Sequence, residues 1–177
     1  MRFLIRPAQQ DDVSAIAAVM RAAMEQLPEP DWFVPDDEEY LRAHLAGPAG
    51  FCQVATTMDG TLAAYFTVKL AGTAPDALGH YLEMDEAGLC ATAQMDSCCV
   101  APLYQGNSLE GKLLLSAEER LRRYPGGPWK CALGTVHPDN LASLYSFLHR
   151  GYRIAAADQG CYGGKRRHIL RKDWPET

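Results

Sequence analysis

The stretch from residue 92 to 136 constrains the fold most. Residues 92–100 read as a strand, which runs into the turn Ala101-Pro102-Leu103-Tyr104. A helix follows over about 108–124, with Leu109, Leu113, Leu114, Ala117 and Leu121 on one apolar face. Pro125-Gly126-Gly127-Pro128 then breaks the chain, and 129–136 reads as another strand. An apolar helix face next to strands needs a sheet to cover it.

The rest of the chain supplies that sheet. Residues 3–6 form a short first strand, and Asp11-Asp12 signals a helix start. Val13, Ile16, Ala17, Met20, Ala23 and Met24 follow at helical spacing. Residues 51–57 and 62–70 are strands joined by the turn Met58-Asp59-Gly60. Residues 71–91 read as irregular, an insertion or lid. Pro138-Asp139-Asn140 opens a helix that Gly151 stops. Residues 152–157 and 168–170 are the last strands.

With 177 residues, 47% hydrophobic and 22% charged, the chain fits one packed domain, 1–177, and is not disordered. Its net charge of -5 counts against a general nucleic-acid binder. The longest charge-free run, 43–58, holds Gly47, Pro48 and Gly50 and is too short and polar to span a bilayer. The N-terminal segment turns acidic at Asp11 where a signal peptide would stay apolar. A cytoplasmic location is the expectation.

The six cysteines contain no Cys-x-x-Cys pair, and the histidines show no zinc-ligand spacing. Reduced, mostly buried thiols and no metal are expected.

The loop Val100-Ala101-Pro102-Leu103-Tyr104-Gln105-Gly106-Asn107-Ser108-Leu109 ends a strand and opens a helix. Backbone amides there are unpaired donors that suit a phosphate or pyrophosphate. Val100, Pro102, Tyr104, Gln105, Gly106, Ser108 and Glu110 resemble the acetyl-CoA motif of the GCN5-related N-acetyltransferase (GNAT) superfamily. Val136, Asn140, Gly151 and Tyr152 resemble its later motif. The resemblance extends from Phe3 to about Leu170. It implies an α/β (α+β) fold: a mixed, mostly antiparallel twisted sheet of six to seven strands flanked by about four helices. Splayed central strands, ending at Val100 and Val136, would form the acetyl-CoA cleft.

The resemblance also implies roles. The cosubstrate is acetyl-CoA, bound by Cys98, Cys99, Val100, Gln105, Gly106, Asn107, Ser108, Leu109, Glu110, Asn140 and Phe147. A strand amide near Cys98–Val100 would polarise the thioester carbonyl, and Asn140 would bond to the pantetheine arm. Glu110 stands where the family has a small residue, and its side chain is expected to turn outward. Phe147 stands where many members have a Tyr that protonates the leaving thiolate. Ser143 shares the helix face of Phe147 and is a candidate to bond that thiolate.

Family members carry an acid or histidine at the positions of Gln94 and Asp96, and strand alternation would put Gln94, Asp96, Cys98 and Val100 on one face. Asp96 is either the general base for the amine or the partner of a basic residue. His137 is a second candidate base or a turn residue. The implied reaction is acetyl transfer to a primary amine of a small molecule or peptide. The missing Tyr keeps open an acyl-CoA-binding regulatory module instead.

Glu25, Glu29, Asp31, Asp36, Asp37, Glu38 and Glu39 form an acidic run without Lys or Arg. It reads as a helix start, and it would also draw in a cationic amine. Trp32 and Phe33 within it either close the core or line a pocket. The basic run Lys165-Arg166-Arg167-His168 reads as a charged edge strand rather than a nucleic-acid patch. The acceptor pocket is expected from residues 27–39, 71–91 and 159–164. No nucleic acid or membrane is expected as partner, and the chain is expected to be a monomer or homodimer.

Overall fold

A computed structural model describes residues 1–174. In chain order the elements are β1 (Phe3–Pro7), α1 (Val13–Met24), α2 (Glu38–Ala43), β2 (Ala46–Gly47), β3 (Gly50–Thr57), β4 (Leu62–Lys69), α3 (Glu86–Cys90), β5 (Thr92–Val100), α4 (Leu109–Leu121), β6 (Cys131–Val136), α5 (Leu141–Leu148), β7 (Arg153–Cys161) and β8 (Lys165–Asp173). The main sheet runs β1-β3-β4-β5-β6-β8-β7, and the two-residue β2 pairs with β3. Every pairing is antiparallel except β5 with β6.

Helices cover both faces of the sheet. Leu109, Leu113, Leu114, Ala117 and Leu121 of α4 pack with Leu144 and Phe147 of α5 against Phe51, Phe66 and Met95. Val13, Ile16, Ala17 and Met20 of α1 pack with Leu41 of α2 against Cys52, Val54 and Tyr65 on the other side. Strands covered twice lose their polar alternation. This explains the near-continuous apolar composition of β3 and β4, buried along almost their whole length. α2 starts at Asp37, whose carboxylate accepts the Tyr40 backbone N–H at 2.7 Å, a helix cap within the acidic run.

The parallel ladder sets up the site. It runs from Thr92 opposite Cys131 to Met95 opposite Gly134 and stops there, while β5 continues to Val100 and β6 to Val136. The two strands therefore part, as the splayed arrangement requires.

Three expectations change. Residues 71–91 hold a 3-10 turn (Leu78–Leu82) and the short α3, with Ala77, Leu78 and Leu89 buried, so the segment is packed rather than irregular. The last two strands are longer than 152–157 and 168–170 and form one hairpin. The basic run is not an edge: β8 lies between β6 and β7, and β7 is the edge. β8 is held inside by its fully buried Ile169 and Leu170. Its charges find partners, as Lys172 does with Glu118 at 2.7 Å and Arg166 with Asp158 at 2.8 Å.

Candidate active site

A β-bulge shapes the site. In the β4–β5 ladder Thr67 faces Ser97 and Val68 faces Met95, so Asp96 has no partner across the strand. The extra residue reverses the alternation. Met95, Cys98 and Val100 pack toward α4, whereas Cys99 packs toward α1 and Ser97 bonds Asp36. The expectation that Gln94, Asp96, Cys98 and Val100 share one face is thus corrected. Gln94 is buried away from the site, and its side-chain oxygen accepts the Leu78 backbone N–H at 2.6 Å.

A cleft of about 600 Å³ fills the gap between the parting strands. Its walls hold Asp96, Cys98, Cys99 and Val100 from β5, and Val136 and His137 from the end of β6. Gln105, Gly106, Ser108, Leu109 and Glu110 line it from the loop and α4, and Asn140, Ser143 and Phe147 from α5. Of the residues expected to bind acetyl-CoA, only Asn107 is off these walls. Its side-chain amide instead donates to the Tyr104 carbonyl at 3.0 Å and shapes the loop. Ser108 sits at φ 53°, left-handed, and its side chain makes no cap bond to α4. The first amides of this 13-residue helix therefore remain free beside the cleft. α5 differs, because the Asn140 side-chain oxygen accepts the Ser143 N–H at 3.3 Å. Nothing lies within 4 Å of a Cβ built on Gly106, which leaves open space above the loop. Open donors, a dipole and room suit a diphosphate.

Glu110 turns inward, against expectation. The Ser143 hydroxyl donates to its carboxylate at 2.6 Å and holds it across the gap between α4 and α5. Burial pushes the Glu110 carboxyl up, and the Ser143 bond opposes that shift. Phe147 is buried with its ring edge on Gly134, where a Cβ would lie 2.7 Å from Cε1 and 2.9 Å from Cζ. Tyr152 meets the same ring edge-on at 4.9 Å.

A second cavity of about 190 Å³ shares Trp32, Phe33, Asp96 and Thr135 with the first. It adds Asp36, Tyr40, Lys69, Asp76, Tyr162 and Arg167. These come from the three segments expected to build the acceptor pocket, together with α2, β4 and β8. Trp32 and Phe33 line both cavities, while Phe33 also packs on the α1 core. Asp96 therefore stands where the cavities meet. The Tyr40 hydroxyl donates to its carboxylate. Burial raises the Asp96 pKa, and the Tyr40 bond and the charge of Lys69 lower it in part. Burial also lifts Asp36 to about 6 despite its bond from Ser97.

His137 is buried and stacks on Trp32 at 5.7 Å. Its Nδ1 accepts the Asp139 backbone N–H at 3.2 Å, and burial followed by the Arg167 charge lowers its pKa. Its ring forms part of the cleft wall. Burial pushes the Cys98 thiol well up and the Cys99 thiol up to about 12, so neither is a thiolate nucleophile. Among the described residues, no group of three or more His, Cys, Asp or Glu could hold a metal ion.

The sequence did not single out Tyr40, Lys69, Thr135 or Arg167 as site residues. Tyr40 and Asp96 are 56 positions apart, so their contact has no local signal. An aromatic in the first helical turn after an acidic run was the only hint.

No protein-family model and no curated protein matches the chain. Solved structures do. A putative acetyltransferase, yncA of Salmonella typhimurium, determined with its cofactor acetyl-CoA, superposes with a TM-score of 0.72 at 20% identity, covering 100% of this chain and 96% of that one. A GNAT-family acetyltransferase of Listeria monocytogenes gives 0.69 at 17%, covering 97% and 95%. Arabidopsis thaliana NAA60, determined with a bisubstrate analogue, gives 0.73 at 13%, covering 98% and 100%. The fold of this chain is the GNAT acetyltransferase fold.

Proposed function

We propose that the chain is an acetyl-CoA-dependent N-acetyltransferase, acting by direct attack of a primary amine within a ternary complex. The observation that carries this reading is the meeting of two cavities at Asp96. One has open helix amides for a diphosphate, and the other is sized for a small amine. The reading takes residues 1–177 as one domain, with 71–91 as an insertion beside the acceptor side, in a cytoplasmic protein. Among the described residues no helix is long and apolar enough to cross a membrane.

In this mechanism the α4 amides and the 105–108 loop bind the diphosphate of acetyl-CoA. The arm lies between β5 and β6, near Asn140. A β5 amide in the stretch beyond the β6 ladder polarises the thioester carbonyl. Asp96 takes a proton from the amine, whose nitrogen bonds to the acetyl carbon as the C–S bond breaks. The leaving thiolate accepts a hydrogen bond from Ser143 and takes its proton from water, because Phe147 has none to give. CoA and the N-acetyl amine leave.

The test is thiol release from acetyl-CoA with a panel of amines, alongside direct titration of CoA. Tight CoA binding with release on at least one amine is the expected result. CoA binding without release on any amine would instead favour the regulatory module. Absence of CoA binding would remove both readings.

A further inference from the structure

The second cavity has walls of opposite charge. Asp36 and Asp96 stand on the side of the α1–α2 segment and β5, and Arg167 stands on β8. Lys69 and Asp76 also line it but pair with each other. Arg167 is different. It is 3% exposed, and among the described residues it makes no ion pair. Two of its N–H donors go to carbonyl oxygens, those of Arg166 and Asp31, each at 2.7 Å. Carbonyls satisfy donors but do not neutralise the charge. The nearby Asp31 carboxylate is bound to Lys165. The other Lys and Arg side chains of β8, namely Lys165, Arg166, Arg171 and Lys172, each have a carboxylate partner.

A buried charge without a counter-ion is costly, and guanidinium does not lose its proton. A guanidinium on a cavity wall is the natural partner of a planar carboxylate. The cavity, about 190 Å³ with Trp32, Phe33 and Val34 among its walls, has room for one amino acid. A peptide N-terminus or a polyamine brings no anion next to its reacting amine, and so offers Arg167 nothing.

We infer that the acceptor is a free α-amino acid, or a close analogue, with its carboxylate on Arg167 and its amine at Asp96. This rests on the acetyltransferase reading. The amine nitrogen bonds to the acetyl carbon, the C–S bond breaks, one amine proton passes to Asp96, and the products are an N-acetyl amino acid and CoA.

The experiment compares L-amino acids with their amides and their decarboxylated amines, for example L-leucine, L-leucinamide and isoamylamine. Two readouts are taken on the full chain: thiol release from acetyl-CoA, and calorimetric binding to CoA-saturated protein. The best binder in the panel is expected to carry a free carboxylate and to exceed its amide and amine about tenfold or more. Arg167→Gln should erase that preference, and Arg167→Lys should keep part of it. The wild-type comparison decides even if a variant fails to fold, which melting curves and CoA titration would reveal.

The inference is overturned if amides or amines bind as well as acids, if no panel member binds, or if a folded Arg167→Gln protein keeps the preference. Carboxylate-dependent binding without thiol release would uphold Arg167 as the carboxylate's partner but overturn the amino acid as acceptor and count against the transfer reading. Release from amines lacking a carboxylate would uphold the transfer reading and overturn the inference.

Discussion

The Tyr40 hydroxyl hydrogen-bonds the carboxylate of Asp96, joining α2 to the bulge in β5. That bond favours the charged carboxylate and so opposes the rise that burial imposes. Tyr40→Phe removes the opposition, so the Asp96 pKa should rise further. The acidic limb of the kcat/KM profile should move to higher pH, with the alkaline plateau less affected. Asp96→Asn should lower kcat about 10²- to 10⁴-fold and flatten that limb. A pH–rate series on both variants checks this, and an unmoved limb in Tyr40→Phe would sink the assignment of Asp96 as base.

Phe147 meets Gly134 along the Cε1–Cζ edge. A tyrosine hydroxyl would be attached at Cζ, the atom already against β6. Phe147→Tyr is therefore expected to lower stability by about 1–3 kcal/mol without raising kcat. Gly134→Ala should cost a similar amount, because its methyl meets the same buried ring. Thermal or urea unfolding measures the cost. A Phe147→Tyr protein of normal stability and higher kcat would contradict this packing.

Asp36 carries a stability prediction. Its folded pKa of about 6 lies above the usual carboxylate value of 3.8. The folded state then binds the proton more tightly than the unfolded state. The stabilising contribution is full below about pH 4 and is lost as pH rises through 6, on the order of 3 kcal/mol. Asp36→Asn should be relatively more stable than wild type at pH 7 than at pH 4. Unfolding midpoints at the two pH values test this, and a pH-independent gap would refute it.

Ser108 occupies a left-handed backbone conformation that a Cβ disfavours. Ser108→Gly should relieve this and raise stability by up to about 1 kcal/mol, a few degrees in Tm. CoA affinity should hold or tighten, since the proposed mode binds the diphosphate through loop amides and not through this hydroxyl. A lower Tm in the glycine variant would contradict the strain.

Much of the fold was legible because its signals are local. The α4 face, the break at residues 125–128 and the α5 start at Asn140 each declare themselves within one or two turns of chain. The bulge at Asp96 did not. A single extra residue reverses strand alternation, and it was this that carried Gln94 out of the expected site. Glu110 faces inward because Ser143, from another helix, holds it there, and no spacing within α4 encodes that. The buried position of β8 was hidden for a similar reason. Its charges look like those of an edge until Glu118, Asp158 and Asp31 are brought to them from elsewhere in the chain. Local patterns gave most of the larger cleft, and contacts over long sequence distances built the second cavity.

The four-pair ladder between β5 and β6 is also the shortest pairing along the seven-strand path of the main sheet. It divides the sheet into the block β1-β3-β4-β5 and the block β6-β8-β7, with α4 against α5 as a second strap. Both blocks can keep their own hydrogen bonds while this seam breathes. Its backbone amides, from Ala93 to Met95, are therefore placed to report on parting of β5 from β6. Amide exchange there should slow when a ligand bridges the strands, reporting occupancy of the cleft without any need for turnover.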